Sequence, residues 1–421
     1  MKRYEEYKDS GVQWLGEIPK HWEMRRLSQV SYEHFISNRD IHHQNLLSLS
    51  YGRIVRKDIN TTDGLLPASF DTYQIVEEGN IVLRLTDLQN DHKSLRVGLV
   101  KEEGIITSAY LCLGTFNMAI LPTYLYYTLH SYDIKKLFYS MGGGLRQNLN
   151  WQGLKKLDLP LPPLPEQRAI VAYIEEKTSS IYALVAEKEK QVQLLNELKE
   201  AEIANVITRG LNPEVKMKDS GIPWIGMIPE HWEVKKINSL FTERREKVSD
   251  TVYPPLSVSK IGITPQLDTA VKTDNGDNRK KVCAGDFVVN SRSDRKGSCG
   301  VSELTGSVSL INIVLKPRKD LEGKYFHYLF RSNNYIEEFY RIGRGIVADL
   351  WTTRYSEMRN ISVPLPPLPE QRAIVAYIED KCRKVDTLIG DLEAEIEYLK
   401  EYKQKLIADC VTGQVNVQGE L

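Results

Sequence analysis

The amino-acid sequence predicts an α/β (α+β) protein of two globular mixed domains joined by two long antiparallel coiled-coil helices. The first reason is length, because 421 residues exceed one ordinary hydrophobic core and suit two or three domains. The second reason is an internal tandem repeat. Residues 8–23 (KDSGVQWLGEIPKHWE) recur at 218–233 with eleven of sixteen positions identical, and residues 160–175 (PLPPLPEQRAIVAYIE) recur unchanged at 364–379. Two copies of one pattern predict pseudo-two-fold symmetry.

Between its two constant segments, each copy carries a block whose sequence varies. Alternating β-branched and polar residues predict strands at Asn80–Thr86 and at Asp286–Asn290. The spacing of apolar residues predicts amphipathic helices at Tyr124–Tyr139 and Tyr325–Tyr340. We therefore expect each variable block to fold as a mixed α/β domain.

The proline-rich segments end each block and start a helix. Proline disfavours a preceding helix and is favoured at a first helical position, so the helices should begin near Pro165 and Pro369. Apolar residues then follow coiled-coil spacing at Val385, Leu388, Leu392, Leu399, Tyr402 and Leu406, and at Ile181, Leu184, Leu195 and Leu198 in the first copy. Lys188 and Glu202 interrupt the first pattern.

The short connection between the copies predicts the direction of the second helix. Only about eight residues separate Arg209 from Lys218, too few to retrace the first helix, so the second helix should run back along it. The C-terminal tail should then lie near the first KDSG segment. The predicted boundaries are 1–160 for the first domain, 161–210 for the first central helix, 211–364 for the second domain, 365–412 for the second central helix and 413–421 for the tail.

The composition excludes several classes of protein. Charged residues make up 27% of the chain, and no stretch approaches the roughly 18 consecutive apolar residues of a membrane span. The N-terminus carries no apolar run that would predict a secretory signal. The five cysteines are scattered and lack CxxC spacing, which argues against a disulfide framework or a structural zinc site. We therefore expect a cytoplasmic protein with no membrane partner.

The net charge of zero hides two unlike basic blocks. Residues 24–160 carry 15 Lys and Arg against 13 Asp and Glu, a net charge of +2. Residues 234–364 carry 22 against 15, a net charge of +7. The remaining segments are acidic in sum and include the predicted helices, as expected for a solvated helix pair. A polyanion would therefore bind the two blocks, and the second more strongly.

The sequence lacks the motifs of the enzymes that act on nucleic acids or nucleotides. It contains no GxxxxGK[ST] loop and no strand-GxGxxG-helix fingerprint. The string nearest to an amino-methyltransferase tetrapeptide, Tyr253–Leu256, lacks both the acid or amide and the aromatic residue. The repeated His21 and His231 favour a structural role, and His42 with His43 favours a surface loop over a metal site. We predict no catalytic residue, no bound cofactor and no metal site in this chain.

Basic and amide side chains cluster in loops that could read nucleic acid. Arginine pairs with guanine edges, Asn and Gln pair with adenine edges, and Lys and Arg also bind phosphates. Two glycine-rich loops, 141–148 and 342–346, could let the backbone approach a phosphate, although each could equally be a tight turn. The candidate DNA contacts are Arg53, Arg84, Gln89, Asn90, Lys93, Arg96, Arg146, Asn148, Lys260, Arg292, Arg295, Lys296, Arg344 and Arg354. The alternative for each is an ordinary solvated charged loop.

The doubled constant segments and the Gly-Gly-Gly-Leu-Arg-Gln-Asn run at 142–148 resemble the DNA-specificity subunits of type I restriction-modification systems. The resemblance covers essentially the whole chain. It implies two target-recognition domains spaced by two antiparallel helices, each domain reading one half of an interrupted double-stranded DNA site. The second copy matches the glycine-rich run only at Gly343, Arg344 and Gly345, so a role of Arg146 does not carry over to Arg344.

The resemblance also implies partners that supply the chemistry. These are two methyltransferase (modification) subunits, which use S-adenosylmethionine to methylate adenine, and restriction subunits, which hydrolyse ATP with magnesium and cut DNA. The chain itself would be a non-catalytic subunit with no cofactor of its own. Two alternatives remain open. The first is an enzyme, either a fused methyltransferase-specificity chain or a nuclease, and the second is a silent coiled-coil scaffold or decoy without sequence-specific DNA binding. For isolated domains, we expect the second to show the larger salt-sensitive affinity.

Overall fold

The computed structural model describes residues 2–39, 43–60, 69–89, 95–116, 119–143, 148–266, 276–318, 320–345 and 351–418. The chain forms two compact units. Unit 1 consists of Met1–Glu189 together with Ala394–Leu421, and unit 2 consists of Lys190–Glu393. Each unit therefore takes one sequence block and a part of both long helices. None of the described helices is long and apolar enough to cross a membrane.

Unit 1 is built from short antiparallel strands and a few helices. Its strands are β1 (Tyr7–Asp9), β2 (Glu17–Pro19), β3 (Glu23–Arg26), β4 (Ser31–Glu33), β5 (Ile36–Ser37), β6 (Leu47–Ser50), β7 (Arg53–Arg56), β8 (Gln74–Val76), β9 (Ile81–Leu83), β10 (Val97–Leu99), β11 (Gly104–Ile106), β12 (Leu111–Thr115) and β13 (Asp158–Leu161). Its helices are α1 (Leu27–Val30), α2 (Pro122–Ile134), α3 (Trp151–Leu154) and the first part of α4 (Leu164–Arg209). The larger sheets have the strand orders β10-β9-β12-β4 and β11-β8-β5, and β13 pairs with β3.

Unit 2 repeats this topology. Its strands are β14 (Met217–Asp219), β15 (Met227–Pro229), β16 (Glu233–Lys236), β17 (Phe241–Glu243), β18 (Lys247–Val248), β19 (Leu256–Ser259), β20 (Gly262–Pro265), β21 (Arg279–Val282), β22 (Phe287–Asn290), β23 (Cys299–Val301), β24 (Gly306–Val308), β25 (Asn312–Pro317) and β26 (Ser362–Leu365). Its helices are α5 (Ile237–Leu240), α6 (Gly323–Arg331), α7 (Asn333–Arg341), α8 (Tyr355–Met358) and part of α9 (Leu368–Val411). The orders β17-β25-β22-β23 and β18-β21-β24 match those of unit 1 strand for strand. The predicted α+β class and the repeat are confirmed.

The strand predicted at Asp286–Asn290 is observed as β22, and the strand predicted at Asn80–Thr86 is observed as the shorter β9, because the strand ends at Leu83 and a loop begins at Arg84. The predicted helix at Tyr124–Tyr139 is observed as α2, but Lys136 adopts a left-handed conformation with φ of 59° and a 3-10 turn follows. The prediction of one helix over Tyr325–Tyr340 is wrong, because the backbone is extended at Ser332, between α6 and α7. The hydroxyl of Ser332 donates to the carbonyl of Leu329, so this polar residue satisfies a helix end locally.

Both long helices begin one residue before the predicted prolines, at Leu164 and Leu368. Within each unit the two helix segments run antiparallel. In unit 1, Lys403 donates to the Tyr182 hydroxyl over 3.0 Å, and Lys188 forms an ion pair with Glu395. In unit 2, Lys199 lies 2.6 Å from Asp386, and the Tyr377 hydroxyl donates to Glu202 over 2.5 Å. The polar positions that interrupt the apolar pattern therefore have partners on the facing helix.

Part of the predicted apolar seam is wrong. Four of its members, Leu184, Leu198, Leu388 and Tyr402, are exposed. The better-buried positions of α4 instead alternate by four and three residues: 181, 185, 188, 192, 195, 199, 202 and 206. A seam of this kind repeats every 3.5 residues on average, so a leucine three residues after Ile181 turns toward solvent when Val185 takes the inner position.

A buried tyrosine in each unit ties three chain segments together. In unit 1, the hydroxyl of Tyr124 lies 3.0 Å from the Pro160 carbonyl and 3.2 Å from the Val411 carbonyl. In unit 2, the hydroxyl of Tyr325 lies 3.0 Å from the Ile207 carbonyl and 3.3 Å from that of Pro364. The end of α9 therefore accepts the tyrosine hydrogen bond in unit 1, as the end of α4 does in unit 2.

The segment after α9 packs on the beginning of the chain, as predicted. The Tyr7 hydroxyl donates to the Gly413 carbonyl over 3.0 Å, and the amide of Asn416 donates to the Lys2 carbonyl over 2.9 Å. These bonds hold the first strand pair of unit 1 against residues that come more than four hundred positions later. The segment after α9 is therefore part of unit 1 and is hydrogen-bonded to its first residues.

A buried histidine gives unit 1 a pH-dependent stability. Burial lowers the pKa of His130 to about 4, and its Nε2 lies 3.0 Å from Oε1 of Gln404. The unfolded chain binds this proton first, because its histidine has a pKa of about 6.5, so stability falls as the pH drops through about 6.5 toward 4. We expect unit 1 to lose about 2 kcal/mol of unfolding free energy from this group between about pH 7 and pH 5.

Denaturant titrations at several pH values, read by hydrogen exchange of unit 1 peptides, measure this loss. His130→Gln should flatten the pH dependence of the unit 1 peptides, and the unit 2 peptides of the same protein, which should keep their wild-type pH profile, provide the internal control. An unchanged pH profile in the His130 variant would contradict the prediction.

Candidate nucleic-acid interface

In unit 1 the structure brings two of the predicted loops together. Asp87, four residues after the end of β9, has a left-handed backbone with φ of 56°. Its amide donates to Oδ1 of Asn148 over 2.9 Å. The backbone of Asn148 also pairs with Gly143 across the glycine-rich loop, with N–O distances of 3.0 and 3.1 Å. The half-buried Arg84 begins the first of these loops, and the bond between Asp87 and Asn148 joins that loop to the described end of the second.

Arg96 is a correction, because it does not lie on this surface. Its side chain has no exposed area at all. The guanidinium donates to the backbone carbonyls of three residues in the loop that follows β9, namely Arg84, Thr86 and Asp87, at 2.9 to 3.3 Å, and to the Tyr139 hydroxyl at 3.1 Å. The predicted DNA contact of Arg96 is therefore wrong in this structure. Arg96 holds the loop from beneath.

The other candidates in unit 1 are scattered or lie elsewhere. Arg53 stacks on the ring of Tyr182, with its guanidinium carbon 5.0 Å from the ring centroid, on the side of the long helices. Gln89 is exposed in the loop that follows β9. Asn90, Lys93 and Arg146 lie outside the described residues.

In unit 2 the structure joins the two candidate loops through Thr352. Its backbone forms isolated antiparallel bridges with both Arg292 and Arg344. The Arg344 side chain is 84% exposed and lies 3.7 Å from Glu357. Arg292 lies at the start of the 3-10 turn Ser293–Arg295, and its side chain is 3.2 Å from Asp294. These two arginines therefore share one edge of the unit.

The neighbouring cations of unit 2 are partly neutralised. Arg295 lies 3.6 Å from Asp294, and Lys296 lies 3.0 Å from Glu337. Exposed ion pairs of this kind contribute little to stability, so these side chains can exchange a carboxylate for a phosphate at low cost. Lys260 is exposed at the tip of the β19–β20 hairpin.

Three cations that the sequence analysis missed lie beside Arg354. They are Arg245, Lys247 and Lys280, and with Arg354 they line an open groove of about 520 Å³. We call it the basic groove; its lining is completed by Glu243, Ser291, Leu310, Ile311, Ile313, Thr352, Tyr355 and Ser356. The charged runs ERREK at 243–247 and RKK at 279–281 are the sequence signal that could have identified it.

The cysteines and histidines complete the description of the ionisable groups. All five cysteines are free, and burial raises the pKa of Cys112, Cys299 and Cys410 to about 12. Among the residues that the structure describes, no group of three or more His, Cys, Asp or Glu side chains is placed to hold a metal ion. The repeated His21 and His231 each lie 2.8 Å from the glutamate of a PLPEQ segment, Glu166 and Glu370 respectively.

The chain matches proteins of one family along most of its length. The family model for the type I restriction modification DNA specificity domain matches residues 58–194 and 229–398. The type I MjaX specificity subunit of Methanocaldococcus jannaschii is 25% identical over 429 residues, covering 96% of each chain. The EcoKI specificity subunit of Escherichia coli K12 is 21% identical over 340 residues, covering 76% of this chain and 68% of its own.

Two solved structures share the fold. A chain from a study of complex assembly and conformational transition in the type I R-M system superposes with a TM-score of 0.66 at 17% identity, covering 94% of this chain and 99% of its own. The HsdS subunit from Thermoanaerobacter tengcongensis superposes with a TM-score of 0.53 at 16% identity, covering 94% and 98%. The repeat, the paired helices and the matched domain model lead to one conclusion: the chain belongs to the family of type I restriction-modification DNA specificity subunits.

Proposed function

We propose that the chain is the sequence-reading subunit of a type I restriction-modification complex. It binds an interrupted, two-part DNA site, and each unit reads one half. The observation that carries this proposal is that one topology occurs twice with unlike side chains at equivalent exposed positions. A protein that read the same half-site twice would need the same side chains twice, so the two units recognise different sequences.

The register of the strands makes this comparison direct. Glu33 faces Leu113 in unit 1 as Glu243 faces Leu315 in unit 2, which aligns β4 with β17. Two residues further along the chain, this alignment makes Phe35 of unit 1 equivalent to Arg245 of unit 2. The strand pairing is therefore the same in both units, whereas the exposed residues next to it differ.

The chemistry of methylation and cleavage belongs to partners in this proposal. Two methyltransferase subunits use S-adenosylmethionine to methylate adenine N6, and restriction subunits use ATP and magnesium to cleave. The chain positions these subunits at its site and performs no bond-breaking step. The solvent-facing residues of the long helices offer a surface for such partners, since the helices bury only one seam each.

A methylation map tests the proposal. The chain is expressed with its methyltransferase partner in a host without adenine methylation, and the genomic DNA is sequenced by a method that detects N6-methyladenine. We expect one interrupted motif with a methylated adenine in each half, on opposite strands. The partner expressed alone is the control and should leave the DNA unmethylated. If the two proteins associate and yet methylate nothing, the chain acts as a scaffold or decoy and the proposal fails.

A further inference from the structure

The basic groove of unit 2 has an excess of positive charge that the unit does not neutralise. Four cations and one carboxylate line it. The carboxylate of Glu243 is shared, at 2.6 Å from Nε of Arg245 and 3.3 Å from Nζ of Lys280. Within the described part of the chain, the side chains of Lys247 and Arg354 have no ion-pair partner. One carboxylate cannot balance four cations, so the groove keeps a net charge of +3.

Two of the four cations, Arg245 and Lys280, are held by polar contacts. Nζ of Lys280 also donates to the Asn312 carbonyl over 2.7 Å, and this side chain is only 15% exposed. A hydrogen bond to the Glu243 carboxylate holds the pKa of Arg245 above its ordinary value. Lys247 lies opposite Lys280 in the ladder between β18 and β21. Like charges directly opposite each other are destabilising, and a phosphate bound in the groove would relieve their repulsion.

Unit 1 shows that the fold does not need these charges. The ladder between β5 and β8 sets Ser37 opposite Gln74, where unit 2 has Lys247 opposite Lys280. Asn150 and Arg354 both precede the short helix before the last strand, α3 and α8 respectively. With Phe35 in the place of Arg245, all four cationic positions of the groove are uncharged in unit 1.

We propose that the basic groove binds the phosphate backbone of DNA and that unit 1 has no equivalent site. This inference rests on the proposed function and goes beyond it, because it assigns the groove to affinity and not to sequence reading. Arginine and lysine neutralise phosphates without regard to the base, and each neutralised phosphate releases a counterion. The variable blocks of the two units carry net charges of +2 and +7, and most of this difference then lies in the basic groove.

The salt dependence of binding tests the groove. The full-length chain, assembled with its methyltransferase partner, is titrated with a duplex that carries its mapped site at several salt concentrations. The slope of log K against log salt is negative, with a contribution of about −0.9 from each phosphate contact. The double variant Lys247→Gln/Arg354→Gln loses two such contacts, so the slope should become shallower by about 1.8. Discrimination between the site and an unrelated duplex should persist, because base-edge contacts are kept.

The matched control removes the same number of positive charges from the same unit outside the groove and the long helices. Lys216 and Lys235 are 78% and 40% exposed and pair with Glu230 and Glu233 respectively. Lys216→Gln/Lys235→Gln should leave the slope unchanged. In the opposite direction, Ser37→Lys adds one cation to unit 1 at the position equivalent to Lys247 and should make the slope steeper by about 0.9.

The outcomes separate the two proposals. If the wild-type complex shows no preference for any sequence, the proposed function fails. If it is sequence-specific but the groove variant keeps the wild-type slope, only the groove proposal is overturned. Loss of partner assembly in the groove variant, with an unchanged slope for the chain that remains bound, would also overturn it and would make the groove a contact for an acidic protein surface.

Discussion

Glu166→Ala should destabilise unit 1 by about 4 kcal/mol, whereas Glu370→Ala should cost unit 2 only about 1 kcal/mol. The two glutamates occupy the same position of identical segments, but their surroundings differ. The Glu166 side chain is 2% exposed and accepts from three groups: the Tyr4 hydroxyl at 2.5 Å, Nε1 of Trp22 at 3.1 Å and the ring of His21 at 2.8 Å. Burial and this carboxylate raise the pKa of Tyr4, which keeps its hydroxyl protonated as a donor.

The network in unit 2 is smaller. Glu370 is 27% exposed and is contacted by His231, while the indole nitrogen of Trp232 is buried with no hydrogen-bond partner among the described residues. The repeat offset of 210 puts the exposed Glu214 where unit 1 has Tyr4. Removing Glu370 therefore leaves one donor that water can reach without a partner. Removing Glu166 leaves two buried donors, those of Tyr4 and Trp22, without a partner, in addition to the half-exposed ring of His21.

Hydrogen exchange measured along the chain in denaturant follows each unit by itself and checks this difference. Glu166→Gln is the control for charge, since it keeps an acceptor oxygen and should recover part of the loss. Equal destabilisation of the two units would show that the buried network contributes nothing beyond the shared Glu–His contact.

Arg96→Met should also lower the stability of unit 1 by about 4 kcal/mol, since methionine fills part of the volume but donates no hydrogen bond. Three loop carbonyls would lose a donor in the interior, whereas the backbone amide of residue 96 would keep its hydrogen bond to Asp133 at 2.6 Å. The loop that follows β9 would then lose its support. We therefore expect weaker site-specific binding as a consequence of instability.

The salt slope separates this structural role from a DNA contact. In Arg96→Met protein that is still folded, the slope should remain that of the wild type. Gln89→Ala, at the exposed end of the same loop, is the control and should change stability by less than about 0.5 kcal/mol. A stable Arg96 variant whose slope becomes shallower by about 0.9 would show instead that Arg96 contacts DNA.

The architecture was predictable because it depends on repeated and local signals. Proline chemistry placed the starts of α4 and α9 within one residue, and alternation placed β9 and β22. The break at Ser332 was missed because apolar periodicity continues across it. Leu198 was wrongly assigned to the buried seam, because apolar residues of a helix can fit a heptad repeat in more than one register. The facing helix determines which register is buried.

The site was less predictable, because a charged residue looks the same in a sequence whether it faces solvent or carbonyls. Arg96 lies in a basic loop segment, yet its strand-end geometry turns the guanidinium inward. The basic groove combines residues that are more than one hundred positions apart, Arg245 and Arg354, so only the tertiary fold assembles it.

The tyrosine tether of unit 1 has a genetic consequence. Tyr124 holds the carbonyl of Val411, and Tyr7 holds that of Gly413, so the last turns of α9 belong to the first unit. A nonsense mutation shortly before Val411 would leave every residue of the first variable block encoded and translated. It would nevertheless destabilise unit 1, most of which is synthesised first, and would leave unit 2 intact, although the coding sequence of unit 2 lies nearer to the mutation.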